Sequence, residues 1–561
     1  MERRKFIRYA LAGATALTPT GLGLLVGACR NGAPQGQPEL ITPAGEPFAA
    51  YPYDPVGAEN FTNPLFIPGG EGPFGVLSVT DAPLTLKAQA ATFPILGGRA
   101  SPFLLYDTSY GGKSYQNPIL RIKSGSRFTA KLQNGLKEPT ITHWHGLHLP
   151  ANMDGHPNNS IAPGKNYPYA FAVNNRSGTY WYHSHADQLT AKQAYGGLAS
   201  FFIIEDDDEL RLTSALDLKL GETDLPLVIQ DKRFNATGEL VYQPTMMEKM
   251  MGYIGDIVLV NLTPNPYLEI GPRIYRFRCL NGSNARIYKL AFMRGKEQLP
   301  YQLIGTDGGL LDRPYPATEV FLAPAERVDI LFDASQLRQG ETVFLKSLAF
   351  DPMEQDGGMG NMGGMDGGMM GGRGNNQSPQ TAGNNRLANG VEFNILKLMV
   401  AKTEQASPNV PKSLSALMPI DTAGVSPRRI TLSLNHMQWL INGQSYRRDA
   451  AAFEVKRAVE VWDIENATNS MIHPMHLHGF SFQVVGRRNS PAALRPLAKS
   501  TGGRVVTDQG WKDTVMVWPG ETVSIAIDFR QAFPGEQRYL FHCHNLEHED
   551  GNMMVNYSVP A

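Results

Sequence analysis

His542-Cys543-His544-Asn545-Leu546-Glu547-His548-Glu549-Asp550-Gly551-Asn552-Met553 sets one thiol between two imidazoles, with a third imidazole and a thioether close behind. On an extended segment the side chains at i and i+2 share a face while i+1 points the other way. His542 and His544 therefore face one side and Cys543 the other, so one tripeptide serves two places at once. One thiolate, two imidazoles and a weak axial thioether form the ligand set of a copper centre that passes single electrons. Cys543, His548 and Met553 supply three of these four, with Met554 as the competitor for the axial place.

The missing imidazole lies upstream, in His473-Pro474-Met475-His476-Leu477-His478-Gly479, where His476 and His478 share a face and His473 takes the opposite one. Two further same-face pairs occur in His143-Trp144-His145-Gly146 and His183-Ser184-His185, so ten of the 13 histidines fall into four clusters. A single His-x-His pair is better read as two surface or cross-strand histidines; four clusters, one enclosing a cysteine, are not. Two metal sites back to back follow, one receiving Cys543 and His473, the other eight histidines. Eight imidazoles are too many for one ion and suit three. Dioxygen needs four electrons to become water, and one electron-transfer copper plus a three-copper cluster stores four.

Around these clusters, short β-branched and aromatic runs recur between turn signals: Ile119–Ile122, Thr179–Tyr182, Gly197–Ile204, Leu227–Gln230, Tyr275–Arg278, Val328–Phe332, Val515–Trp518 and Val523–Phe529. That spacing predicts an all-β chain of sandwiches or barrels. At 561 residues one core is not enough. The expected divisions are 75–207, 208–405 and 406–561, set in the acidic run Glu205–Glu209 and near the Lys402–Pro411 linker. Residues 29–74, rich in Gly and Pro, read as a tether. Between Asp351 and Gly372 stand Met353, Met359, Met362, Met365, Met369 and Met370 among glycines and carboxylates; glycine at that density excludes a stable helix, and an insertion spanning 351–389 is expected. Met246, Met247, Met250 and Met251 read as core packing. With 51 Lys+Arg against 52 Asp+Glu, no basic excess argues for nucleic acid.

Arg3-Arg4-Lys5-Phe6-Ile7 with the mildly apolar stretch Tyr9 to Val26 is a twin-arginine signal peptide over 1–28, which predicts export to a periplasmic or cell-surface location. Val26-Gly27-Ala28-Cys29 also resembles a lipoprotein cleavage box that would leave Cys29 lipidated; the alternative is a soluble exported protein in which Cys29 has no role. Only Cys279 and Cys543 remain, and Cys543 suits metal chemistry better than a bridge, so no structural disulfide is expected.

The four ordered motifs resemble the multicopper oxidase family, especially its bacterial three-domain branch with spore-coat laccase, bilirubin oxidase and the copper efflux oxidase. Met251-Gly252-Tyr253-Ile254-Gly255-Asp256 followed by Leu259-Val260-Asn261 is similar to the bacterial laccase pattern. The resemblance implies three consecutive cupredoxin-like Greek-key domains and four copper ions: one type 1, one type 2 and two type 3. It assigns His143 and His476 to type 2; His145, His183, His185, His478, His542 and His544 to type 3; and His473, Cys543, His548 and Met553 to type 1. No ligand is missing, which disfavours the copper-free cell-division relatives on this fold. It also suggests proton delivery by Asp154 and Glu549, against readings as a turn residue and a helix-end charge.

For the electron donor, soft thioethers select Cu(I) and carboxylates receive Cu(II), so the Met-rich insertion favours a cuprous oxidase. Phenols, aromatic amines or tetrapyrroles are the alternative small reducing substrates, and a copper-binding protein without turnover is the third reading. A copper nitrite reductase has no use for so many paired histidines. The chain is expected as a monomer.

Overall fold

The computed structural model describes residues 60–354 and 387–561, apart from 81, 96–99, 236 and 402–407. The signal peptide, Cys29 and most of the Met-rich insertion lie outside the described residues. All eight predicted runs are strands, among them Gly178–Ser184, Ala199–Glu205, Asp224–Lys232 and Thr522–Asp528. Among the described residues they assemble into six sheets that pair as three sandwiches, and the chain carries cupredoxin-like β-sandwich domains. The first sandwich holds a six-stranded and a five-stranded sheet between Gly72 and Glu205; the second holds two seven-stranded sheets, chiefly Asp224 to Val400; the third holds two five-stranded sheets between Arg428 and Val559. Parallel pairings between strands distant in sequence, such as Ala199–Glu205 on Ile119–Lys123 and Arg428–Asn435 on Val459–Asn466, give each sandwich its crossing connections.

Alternation explains the sheets. Arg127–Asn134 reads exposed, buried, half-buried, buried along its length, with Phe128, Ala130 and Leu132 turned inward. The strands nearest the histidine clusters are buried on both faces instead: Thr142–His145, Gly178–Ser184 and His473–Leu477 are covered throughout. One face meets an apolar core and the other a neighbouring sandwich.

One expectation changes. Residues 60–74 are not loose tether. Asn63–Pro64 pairs in parallel with Pro266–Tyr267, Leu65 joins the second sandwich's core, and Phe61 meets Phe344 edge to face at 5.5 Å. Burying these apolar side chains offsets the ordering that glycine and proline would otherwise leave open. The acidic run at the first boundary is a helix start: Asp206 caps Asp207–Ala215 by accepting from the Glu209 amide at 3.0 Å, with three carboxylates in the first turn where the helix dipole favours them. Cys279 and Cys543 are both buried and unpaired.

Candidate metal centres

The thiolate site lies within the third sandwich. The Gln537–Cys543 strand pairs with His473–Leu477, putting Cys543 opposite Met475. The short helix Leu546–Asp550 then folds His548 back. Cys543 Sγ stands 3.5 Å from His473 Nδ1 and 3.6 Å from His548 Nδ1, all three groups fully buried. Each ring is turned by its other nitrogen: His473 Nε2 lies 3.0 Å from Ser470 Oγ, and His548 Nε2 donates to the Met250 carbonyl at 2.9 Å. Trp439 donates to the same carbonyl at 2.8 Å and meets the His473 ring edge to face at 4.7 Å. Met553 and Met554 divide as strand parity requires: Met553 shares the apolar cluster of Cys543, while Met554 packs with Tyr446 and Leu540. Burial pushes the Cys543 thiol up and the His548 imidazole down to about 3. The histidines are thus neutral ligands, and only a bound cation would make the buried thiolate favourable.

The eight remaining histidines meet between the first and third sandwiches. Their ring nitrogens form three groups whose atoms lie within 4.8 Å of one another: His143, His145 and His476; His145, His183 and His544; His185, His478 and His542. Three of the four same-face pairs of the sequence therefore split, His183 from His185, His476 from His478 and His542 from His544, while His143 and His145 share a group. Backbone and carboxylate acceptors orient the rings. His143, His183, His476 and His542 donate Nδ1–H to the carbonyls of Asp154 (2.6 Å), Ser184 (2.9 Å), Asp513 (2.8 Å) and Cys543 (3.1 Å), and His478 donates to Asp154 Oδ2 at 2.6 Å. Their Nε2 atoms turn inward. His145 is reversed: Nε2 donates to Asp513 Oδ1 at 2.9 Å, leaving Nδ1 facing His183 Nε2 at 3.4 Å.

This arrangement fits cations. His478 Nε2 faces His542 Nε2 at 3.0 Å, and His143 Nε2 faces His476 Nε2 at 3.3 Å, each carrying a lone pair once its Nδ1 is the donor. Opposed lone pairs repel unless a metal takes them. Among the described residues neither nitrogen of His185 or His544 has a hydrogen-bond partner, although both rings are buried, and an unsatisfied buried polar atom costs about 1–3 kcal/mol. Burial holds every one of these imidazoles below its usual range, down to about 4 for His476 and about 3 for His183.

The two carboxylates flank this centre. Asp154 grips His143 through its carbonyl and His478 through its side chain, and Gly155 (φ +88°) turns the chain so tightly that a Cβ would strike the Thr142 carbonyl. Glu549 lies 3.3 Å from His542 Nδ1 and 3.5 Å from His185 Nδ1. With no cation beside them, burial pushes both carboxyls well above the usual range; neighbouring copper would pull them back. Glu549 is buried, so it is no exposed helix-end charge.

Sequence reasoning missed Ser470, Trp439, the Met250 carbonyl and Asp513. Ser470 and the Met250 carbonyl act on ring nitrogens that point away from the centre, and Trp439 acts on that carbonyl and on the His473 ring, for all of which spacing carries no signal; Asp513 shows its partners only in the fold. The core reading of the Met246–Met251 helix holds for Met250 but not for Met246 and Met247, which are 70% and 53% exposed. A Thr245–Glu248 capping box and the Glu248–Arg233 ion pair (2.5 Å) hold that helix. Met353 and Met251 pack against the apolar cluster that contains Cys543, His473's neighbour Met475, and Met553.

Two family profiles described as multicopper oxidase match residues 95–209 and 409–561. A multicopper oxidase of Staphylococcus haemolyticus is 32% identical over 481 residues, 85% of this chain and 88% of that protein. A laccase of Bacillus subtilis is 32% identical over 447 residues, 74% of this chain and 78% of the relative. The crystal structure of the McoA multicopper oxidase from the hyperthermophile Aquifex aeolicus superposes with a TM-score of 0.76 at 37% identity, covering 89% of this chain and 99% of that one.

Proposed function

The chain belongs to the multicopper oxidase family, a copper-dependent oxidoreductase, and on that premise we propose that it couples four one-electron oxidations of Cu(I) to the reduction of dioxygen to water. The observation that carries the oxidase reading is the convergence of ten imidazoles and one thiol into two adjoining buried centres. His473, Cys543, His548 and Met553 would hold type 1 copper; His143 and His476 type 2; and the triplets His145, His183, His544 and His185, His478, His542 the two type 3 ions. Copper bound there supplies one-electron storage at both centres and the four electrons dioxygen needs. The chain itself links the centres through one peptide, since His542 and His544 flank Cys543 and His542 Nδ1 donates to the Cys543 carbonyl. Asp154 and Glu549, each beside histidines of the cluster, supply protons as oxygen takes up electrons.

The Cu(I) reading is supported by thioethers on the third sandwich's core and on the helix that bonds His548. Met353, the first methionine of the insertion, and Met251 pack on the cluster that holds Cys543, while Met246 and Met247 stand exposed on the helix whose Met250 carbonyl bonds His548. Thioethers select the cuprous ion over harder cations, and the His548 hydrogen bond gives electrons a short inward route. Oxidation of phenols or tetrapyrroles is the second reading, favoured by relatives named laccase and bilirubin oxidase. Steady-state rates with Cu(I) and with a phenol, before and after deletion of 353–370, separate the two. Loss of Cu(I) oxidation with phenol oxidation kept supports the cuprous oxidase; equal losses sink it. The twin-arginine start supports placing the activity outside the cytoplasm.

A further inference from the structure

The second sandwich supplies none of the candidate copper ligands, yet one of its side chains reaches the histidine cluster. Arg327 opens the Arg327–Asp333 strand and is fully buried. A guanidinium carries five N–H donors in one plane, and here all five are used. Nε donates to the Thr179 carbonyl of the first sandwich at 2.9 Å. Nη1 donates to the Ala325 carbonyl and to Asp513 Oδ1, both at 2.9 Å. Nη2 donates to the Asp307 carbonyl at 2.9 Å and to Asp513 Oδ2 at 2.5 Å. A single side chain thereby ties all three sandwiches together at the edge of the candidate three-copper site.

Asp513 passes that restraint to two rings. Its Oδ1 accepts from His145 Nε2 at 2.9 Å, and its main-chain carbonyl accepts from His476 Nδ1 at 2.8 Å. The two rings stack with centroids 3.7 Å apart and planes at 14°. Because a neutral imidazole offers its lone pair on the nitrogen opposite its N–H, the two contacts have opposite consequences. His145 is fixed with Nδ1 inward and His476 with Nε2 inward. Among the six cluster rings with a protein hydrogen bond, His145 alone is turned this way. The backbone makes room for it: Gly146 takes φ +84°, and a Cβ there would collide with Asp513 Oδ2 and stand 3.1 Å from Arg327 Nη2.

We propose that Arg327 and Asp513 form a tautomer lock, a positioning pair through which the ligand-free second sandwich fixes the nitrogen that His145 and His476 present to copper. The lock rests on the assignment of the eight histidines to a three-copper site. A carboxylate is acceptor-only, so it dictates Nε2–H on His145 while accepting the bidentate guanidinium. Asparagine in its place must direct an NH2 at either Arg327 or His145, and in the second case the ring proton moves to Nδ1, where copper would bind.

Copper-loaded full-length Asp513→Asn and Arg327→Lys test the lock through copper content, blue absorption, the electron paramagnetic resonance of the cluster, and dioxygen uptake. Partners of metal-bound histidines are worth about 10- to 100-fold in metal affinity or activity. Asp513→Asn is expected to keep its blue absorption while cluster copper or dioxygen uptake falls within that range. Arg327→Lys keeps the charge but not the fork, and is expected to perturb the same cluster signal less. An unchanged cluster spectrum with four coppers in Asp513→Asn overturns the lock, as does parallel loss of copper from both centres in both variants. Should the parent protein bind only the thiolate copper, the ligand assignment itself fails and the lock falls with it.

Discussion

The two candidate copper centres use the same imidazoles but are assembled differently. The thiolate site takes its four ligands from residues 473–553, all in one sandwich, and orients its rings with Ser470 and with the Met250 carbonyl of the capped helix. The eight-histidine site takes four rings from the first sandwich and four from the third, and Arg327 of the second reaches its frame. The first centre therefore draws its ligands from one folded unit, with one ring oriented by a helix between second-sandwich strands, whereas the second draws its ligands from two and exists only where sandwiches dock. Perturbations should separate them accordingly.

The largest separation is expected from Cys543→Ser. Removing the only thiol of the type 1 set should abolish blue absorption and bring turnover to background while the eight histidines still bind copper. Metal analysis and absorption spectra decide it; loss of all copper would mean that the centres are not independent. Asp154→Asn should act in the reverse sense. The amide oxygen can still accept from His478 Nδ1, but the proton source is gone, so dioxygen reduction should slow by about 100-fold or more with blue absorption intact. Unchanged turnover would remove Asp154 from the proton path.

Acid should distinguish the centres in the same order. Burial depresses His476 to about 4, so between the ordinary imidazole value of about 6.5 and that value the unfolded chain binds a proton that the folded protein does not. Stability is then unaffected above that window and is lost as pH falls through it, by roughly 3 kcal/mol for such a ring in the metal-free protein. Eight rings titrate at one centre and two at the other. On acidification the cluster signal should disappear before the blue band, and the opposite order would break the comparison.

Parity made most of this site legible. His542 and His544 against Cys543, and His473 against His476 and His478, follow from a period of two once the segments are extended, and the histidines then sort themselves. What parity does not carry is the partition within a face: His183 and His185 point the same way yet serve different groups, because the neighbouring sandwich sets which ring each meets. Asp513 and Arg327 were illegible for a related reason, since a charged residue in or beside a strand signals burial only when its partner, 186 positions away, is known. Residues 60–74 misled because glycine and proline report backbone preference and not the apolar surface of Phe61 and Leu65.

The smallest expected effect concerns how electrons enter the thiolate site. Met246 and Met247 are exposed on a helix fixed by its capping box, so replacing both with leucine removes sulfur and little else; Met-to-Leu exchanges are tolerated even in cores. If these thioethers gather Cu(I) above the Met250–His548 hydrogen bond, the double variant should raise KM for Cu(I) several-fold with kcat nearly kept, and phenol oxidation should not change, because a phenol gains nothing from sulfur ligands. Equal effects on both donors would make the helix a general cover of the type 1 site. No effect on either would confine Cu(I) capture to the Met353 segment, leaving the helix to orient His548 alone.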